Sequence, residues 1–291
     1  MNSRRLSKIC FGCEPLGGVD SGDVSVKKIS DAISLALELG VNFFDTAAVY
    51  GLGLSETRLA KVLGNKRHDV YIATKGGLSW SVESNSSARA RVVRNSSPSS
   101  LRKGVEDSLR RLKISRIPIY YIHWPDPNVE IRISFELLNK LYDEGKIGQI
   151  GCSNFNLDQV ILASDVAEIS FLQMPINIMG KDISANFKNF LNEKKISLVA
   201  YNVLANGLLS GKYNEQSVFL KNDRRSRLTE FQGDNFKKAL MRVEELKKIA
   251  AAEGMTCAQY SISKIIQEPE VVSVILGIKN CKQLEENWNG L

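Results

Sequence analysis

Four side chains of complementary acid–base character stand at separated points of the 291-residue chain: Asp45, Tyr50, Lys75 and His123. A tyrosine phenol ionises near pH ~10, too high for an efficient proton donor at neutral pH. An ammonium within ~4–6 Å favours the phenolate and lowers that value, and a buried carboxylate keeps the ammonium charged and in place. An imidazole beside them can hydrogen-bond a substrate carbonyl and orient it. Brought together, the four make an acid–base device for a carbonyl/alcohol pair. Each taken alone also admits a bland reading as a satisfied structural group. The weight lies in their positions. Asp45 follows an apolar run at 41–44, Tyr50 comes five residues later, Lys75 closes 70–74 and His123 closes 118–122. Ser153 and Asn154 close 148–152, Gln173 lies near the end of 171–174, and Tyr201 ends 197–201.

Those runs are candidate strands, with 8–12 and 271–276 completing a set of eight. They are apolar on both faces, as parallel strands covered by helices are. Helix-like stretches alternate with them at 27–39, 55–63, 98–112, 131–143, 156–163, 184–193, 236–252 and 280–287. In 27–39, Ile29, Ala32, Ile33, Ala36 and Leu37 recur at the spacing of one helix face, and Gly40 supplies a left-handed stop. Pro98 suits the first turn of the helix that follows it. Eight strand–helix units predict a (β/α)8 TIM barrel forming a single domain over 1–291, with a doubly wound sheet as the main competitor. In a barrel every strand-to-helix junction opens on one face, so the polar positions above converge on one mouth. Two long polar segments, 78–97 and 214–235, read as structureless loops of functional or mobile kind.

Composition sets the frame. The chain is 43% hydrophobic and 24% charged, which excludes disorder and fibrous architectures. No run approaches the ~20 apolar residues of a membrane span, and no signal-peptide core follows the basic start. The five cysteines are odd in number and scattered, so a reduced, cytoplasmic setting is expected. Cys10 and Cys13 form a CxxC on the first strand, where residues three apart point to opposite faces, against a dithiol or metal site. With two histidines in the chain, and His68 in a polar connection, no metal cluster is expected. The net charge of +7 suits a nucleic-acid binder or an enzyme attracting a polyanionic cofactor. The basic run at 221–227 lacks the interleaved aromatics that stack bases, so no nucleic-acid partner is expected.

At these residues the chain resembles the aldo-keto reductase superfamily. The stretch from Gly40 to Glu56, containing Asp45-Thr46-Ala47-Ala48-Val49-Tyr50-Gly51 and Ser55-Glu56, is similar to the family's first signature. Ile72-Ala73-Thr74-Lys75 looks like its lysine strand, Tyr121-Ile122-His123-Trp124-Pro125 like its histidine strand, and 145–155 like the next family block. The resemblance runs from about residue 5 to 290. It implies an NAD(P)H-dependent oxidoreductase that transfers a hydride between nicotinamide and an aldehyde, ketone or sugar-derived substrate. In that reading Tyr50 is the general acid, Lys75 and Asp45 tune it, and His123 positions the carbonyl. Ser153, Asn154 and Gln173 would hold the carboxamide and Tyr201 would stack on the nicotinamide. Leu204, Gly207, Leu208, Ser210 and Lys212 would border the pyrophosphate. Gly277, Lys279, Gln283, Glu286 and Asn287 would surround the adenosine end.

Lys279 stands where relatives carry a cation for the 2′-phosphate, so NADP(H) is preferred, with NAD(H) admitted. Asn202-Val203 departs from the family's Ser-Pro, and Met174-Pro175-Ile176-Asn177 lacks its tyrosine. The chain ends four residues after Asn287, so substrate recognition is expected to fall to 78–97, 125–130 and 214–235. Arg89, Arg91 and Arg94 read as a solvated loop or as a contact for an anionic substrate. The expected quaternary state is a monomer or weak homodimer, with no membrane partner. The rival class is a non-catalytic NADP(H)-binding redox-sensing regulatory module.

Overall fold

The computed structural model describes residues 5–18, 24–81, 90–180 and 182–288. Eight parallel strands close into a barrel: β1 (Ile9–Gly12), β2 (Phe43–Asp45), β3 (Tyr71–Gly76), β6 (Ile117–Ile122), β7 (Ile147–Ser153), β8 (Ile169–Pro175), β9 (Ser197–Tyr201) and β10 (Val271–Gly277). The ring runs in that order and closes where β1 pairs with β10, Ile9 opposite Val274 and Gly12 opposite Gly277. Closure decides against the doubly wound sheet. β4 (Leu78–Ser81) and β5 (Arg91–Arg94) form an antiparallel hairpin apart from the barrel. The described parts of 78–97 therefore correct the expectation of a structureless loop: the Arg91-Val92-Val93-Arg94 run has the β-branched centre that pairs well. Arg89 lies outside the described residues.

The helices are α1 (Val26–Glu38), α2 (Leu54–Leu63), α3 (Pro98–Leu112), α4 (Ile131–Asp143), α5 (Leu157–Ser164), α6 (Ala185–Lys194), α7 (Gly233–Ala252), α8 (Cys257–Ile266) and α9 (Cys281–Trp288). Local chemistry sets their ends. The Ser25 hydroxyl accepts from the Lys28 N–H at the start of α1, and Gly40 takes φ +86° just past its end. Asn156 with Gln159, and Thr256 with Gln259, make reciprocal capping boxes at α5 and α8. α8 was not expected from the sequence. It follows α7 so that the β9–β10 crossover carries two helices.

Helix faces pack on the outside of the barrel through Ile29, Ile33, Leu59, Leu101, Val105, Phe135 and Leu138, all buried. The interior is filled by Cys10, Phe43, Ala73, Ile119, Tyr121, Phe171 and Val199, so the barrel is a packed core and not a pore. Cys10 joins this interior cluster, while Cys13, just past the end of β1, joins the outer one. All five cysteines are free. The 214–235 segment is packed rather than structureless: Phe219, Phe231 and Tyr213 meet edge to face and rest on α7 through Phe236. Short 3-10 turns at Arg224–Arg227 and Thr229–Phe231 punctuate it. No helix among the described residues is long and apolar enough to cross a membrane.

Candidate active site

Parallel strands in a closed ring point their C-terminal ends the same way, and the predicted residues sit at those ends. Asp45 is the last residue of β2, paired with Gly12 on one side and Ala73 on the other. Lys75 lies one residue from the end of β3, buried at 1% exposure. Its Nζ donates to Asp45 Oδ1 at 2.5 Å and to the Thr46 carbonyl at 2.8 Å. The same ammonium stands 5.2 Å from the centroid of the Tyr50 ring. His123 directly follows β6, its N–H bonded to the Gly76 carbonyl, and its ring meets the Tyr50 ring edge-on at 5.9 Å. The four titratable groups therefore share one end of the barrel.

Tyr50 itself rides on a turn between β2 and α2. Gly51, at φ +60°, lets that turn lie against the Glu14–Gly17 turn after β1: a Cβ there would come 2.3 Å from the Gly17 carbonyl oxygen. Burial pushes the Tyr50 phenol well above its ordinary range, Asp45 and Glu14 add to the rise, and Arg224 opposes it. This corrects the expectation of a lowered phenol pKa. The Lys75 charge is engaged with Asp45, and the enclosed setting of the phenol dominates. His123 moves the other way, well below the usual histidine range, through burial and then the Lys75 charge. At neutral pH the site holds a neutral phenol and a neutral imidazole beside a buried ion pair.

A chain of hydrogen bonds runs from this centre around the mouth. Gln173 Nε2 donates to Asp45 Oδ2 at 2.8 Å, and Ser153 Oγ stands 3.4 Å from Gln173 Oε1. Asn154 Nδ2 donates to Ser153 Oγ at 3.0 Å and to the His123 carbonyl at 2.9 Å. Tyr201 OH then donates to Asn154 Oδ1 at 2.6 Å. Burial raises the Tyr201 phenol to about 12, so it stays a donor. Asn154 takes φ +65°, a conformation asparagine tolerates better than most side chains, and this turns its amide back across the mouth.

Further along the same face, Leu204 precedes the Ala205–Ser210 turn, in which Gly207 has φ +95°, Leu208 is buried and the Ser210 hydroxyl donates to the Gly207 carbonyl. Lys212 follows, its Nζ 5.1 Å from the Tyr213 ring centroid. Gly277 ends β10 with open space where a side chain would project. The Lys279 N–H donates to Gln283 Oε1, and both residues line a cavity of about 420 Å³ with Val24, Ser25, Lys28 and Asn280. Glu286 faces Gln259, which donates to its carbonyl, and Asn287 is buried on α9.

Sequence reasoning missed Glu14, Arg224 and Arg225. Arg224 donates to both Glu14 oxygens at 3.0 and 3.2 Å and to Asn206 Oδ1 at 2.9 Å, tying the 214–235 segment to the turn after β1. Arg225 pairs with Asp223, donating through Nε at 2.8 Å, and borders Gly207. Lys212 and Lys279 are both held below the usual lysine range, by burial first and next by the Arg225 charge. Exposed Lys212 and half-buried Arg225 and Lys279, cations that repel one another, fit a polyanion placed among them. The signal was the 221–227 basic run, of which Arg224 and Arg225 turn to acids here while Arg227 donates to the Lys221 carbonyl. Among the described residues, no group of three or more histidine, cysteine or acidic side chains is arranged to hold a metal ion. His68 is exposed on a 3-10 turn away from these contacts.

The Aldo/keto reductase family model matches residues 8–291. The chain belongs to the aldo/keto reductase family. It is 32% identical over 282 residues to aldo-keto reductase YhdN of Bacillus subtilis, covering 96% of this chain and 83% of that protein. It is 28% identical to the NADH-specific methylglyoxal reductase of Escherichia coli, covering 97% and 89%. The solved glycerol dehydrogenase AKR11B4 from Gluconobacter oxydans superposes with a TM-score of 0.88 at 33% identity, over 98% of this chain and 86% of that one. As a member of this family the protein is an NAD(P)H-dependent oxidoreductase acting on carbonyl and alcohol groups of small molecules. The donor-rich mouth and the Lys212, Arg225 and Lys279 cations fit such a cofactor; the relatives include an aldo-keto reductase of Schizosaccharomyces pombe described with NADP(+) and the NADH-specific enzyme of Escherichia coli.

Proposed function

We propose that this aldo/keto reductase interconverts a small aldehyde, ketone or sugar-derived carbonyl with its alcohol, using Tyr50 as the proton donor. The observation that carries the reading is the Lys75 ammonium, bonded to Asp45 and 5.2 Å from the centre of the Tyr50 ring, with His123 edge-on to that ring. When bound, the nicotinamide supplies the hydride to the carbonyl carbon. As negative charge grows on the carbonyl oxygen, Tyr50 OH gives up its proton there and neutral His123 donates a hydrogen bond. A protonated phenol and an uncharged imidazole are the states that act, and both are the states burial enforces. Asp45 fixes the ammonium so that it faces the phenol. Ser153, Asn154 and Gln173 present donors and acceptors for the carboxamide, and Tyr201 offers the flat ring for the nicotinamide. Lys212 and Arg225 take the pyrophosphate, and Lys279 the 2′-phosphate.

The substrate wall comes from the hairpin and the start of the β6–α4 loop. Arg94 stacks on Trp124 at 5.2 Å and donates to the Pro125 carbonyl at 3.2 Å, so Arg94 is engaged with this wall. Leu78 opposite Arg94, and Trp80 opposite Val92, share that face of the hairpin. Relatives described as a glycerol dehydrogenase and a methylglyoxal reductase support small polyols and oxoaldehydes as the first compounds to try. The test is a parallel screen of aldehydes, ketones and sugar derivatives, read as loss of absorbance from NADPH and from NADH. Steady turnover with NADPH supports the reading. One slow oxidation of bound cofactor with no steady rate on any compound would favour a redox-sensing module instead. Trp124, 37% exposed, offers its ring to a bound substrate, so Trp124→Ala is expected to raise KM about tenfold for the best substrate with a smaller change in kcat. A loss confined to kcat would remove Trp124 from the substrate wall.

A further inference from the structure

Beside the four-residue centre lies a buried charge that takes no part in the chemistry above. Glu56, in the first turn of α2, is fully enclosed at 0% exposure. A carboxylate withdrawn from water is costly unless its charge and lone pairs are met. Here both oxygens are met. Thr74 Oγ1 donates to Oε1 at 2.6 Å, and Arg111 Nε, from α3, donates to Oε2 at 2.5 Å. Arg111 passes over Gly53, where a Cβ would stand 2.7 Å from the arginine Cδ. The preceding residue, Ser55, donates through its hydroxyl to the Cys13 carbonyl at 2.7 Å and through its N–H to the Tyr50 carbonyl at 3.2 Å.

These bonds join the two segments whose spacing governs the site. Thr74 is the strand neighbour of Lys75, and successive strand side chains point to opposite faces. Lys75 thus reaches the barrel mouth while Thr74 faces outward onto α2. Tyr50 stands on the turn that leads straight into α2. The Thr74–Glu56 bond therefore clamps the back of the lysine strand to the foot of the tyrosine turn, and Arg111 locks the carboxylate in place. We propose that Glu56 is a positioning residue that fixes the spacing of Tyr50 and Lys75 through Thr74 and Arg111, and thereby sets the rate of proton donation. The proposal rests on the reading of Tyr50 as proton donor.

The test is a double-mutant cycle with Tyr50→Phe, read as the single-turnover rate of NADPH oxidation, with NADPH affinity measured by fluorescence. Glu56→Gln retains an acceptor for Thr74 and loses the charge that holds Arg111, whereas Glu56→Ala loses both. Expected losses in rate are about tenfold for the first and about a hundredfold for the second, the scale of a displacement near 1 Å. KM and NADPH affinity should stay within about twofold. In the Tyr50→Phe background the same substitutions should change the residual rate by less than about twofold, because a residue acting through Tyr50 has nothing left to position. Thr74→Val, which removes one hydroxyl, should reproduce the Glu56→Gln loss and serves where the Glu56 variants fail to fold. Equal losses in both backgrounds, or a Thr74→Val enzyme with the parent rate, would overturn the proposal. Full activity of Tyr50→Phe alone would overturn the reading of Tyr50 itself, and with it the role of Glu56.

Discussion

The Tyr50 phenol and the His123 imidazole reach the same neutral condition from opposite directions. Enclosure, Asp45 and Glu14 hold the phenol protonated, and enclosure with the nearby Lys75 charge keeps the imidazole unprotonated. A phenol pKa raised above 10 leaves the donor loaded at every pH below it. An imidazole pKa pushed under 6.5 leaves that ring neutral at every pH above it. Carbonyl reduction should therefore show a kcat/KM that is flat between about pH 6 and pH 9. A bell centred near pH 7 would place a different acid in the site. Asp45 sets its charge against Lys75 Nζ at hydrogen-bond distance, and the pair is buried at 3% and 1% exposure. Asp45→Asn leaves the ammonium enclosed without a counter-charge and is expected to cost about 3–5 kcal/mol of stability. Urea unfolding of the variant measures this, and a loss under about 1 kcal/mol would mean that the ammonium finds water.

Among the elements, the turn between β2 and α2 matters most, because it carries Tyr50 and has no ladder to hold it. Its contact with the Glu14–Gly17 turn depends on two glycines meeting backbone to backbone. Gly51→Ala adds a Cβ where none fits, at a left-handed φ, and is expected to lower kcat by about a hundredfold with a modest fall in melting temperature. An unchanged kcat would show that the turn relaxes without moving the phenol. The strands were legible because runs such as 118–122 and 197–201 are apolar on both faces, a pattern burial by helices requires. Their ends were less so: β2 begins at Phe43 and takes in Asp45 through pairing with Gly12 and Ala73, which periodicity does not encode. α8 left a readable trace in Thr256 and Gln259, three residues apart as a capping box demands, yet its short span fell between two stronger patterns. The turn of Arg224 toward Glu14 was not readable locally, because the two lie 210 residues apart, whereas Arg225 had its acidic partner Asp223 two residues away within the same basic run.

Across the whole molecule, barrel closure does the assembling. Asp45 and Gln173 are 128 residues apart and share a 2.8 Å hydrogen bond because their strands end on the same rim. The same rim leads to Lys212, Arg225 and Lys279, whose neighbouring charges suit the anionic cofactor proposed there. Lys279→Glu should weaken NADPH about a hundredfold and NADH about threefold or less, since only the former carries the extra phosphate. Equal weakening of both would move the 2′-phosphate contact elsewhere. The most direct measurement for the account as a whole compares Tyr50→Phe with the parent enzyme in NADPH binding and in single-turnover carbonyl reduction. The expected result is unchanged affinity with a rate about a hundred- to ten-thousandfold lower, the contribution of a positioned proton donor. A variant that binds NADPH normally and reduces the carbonyl at the parent rate would contradict it.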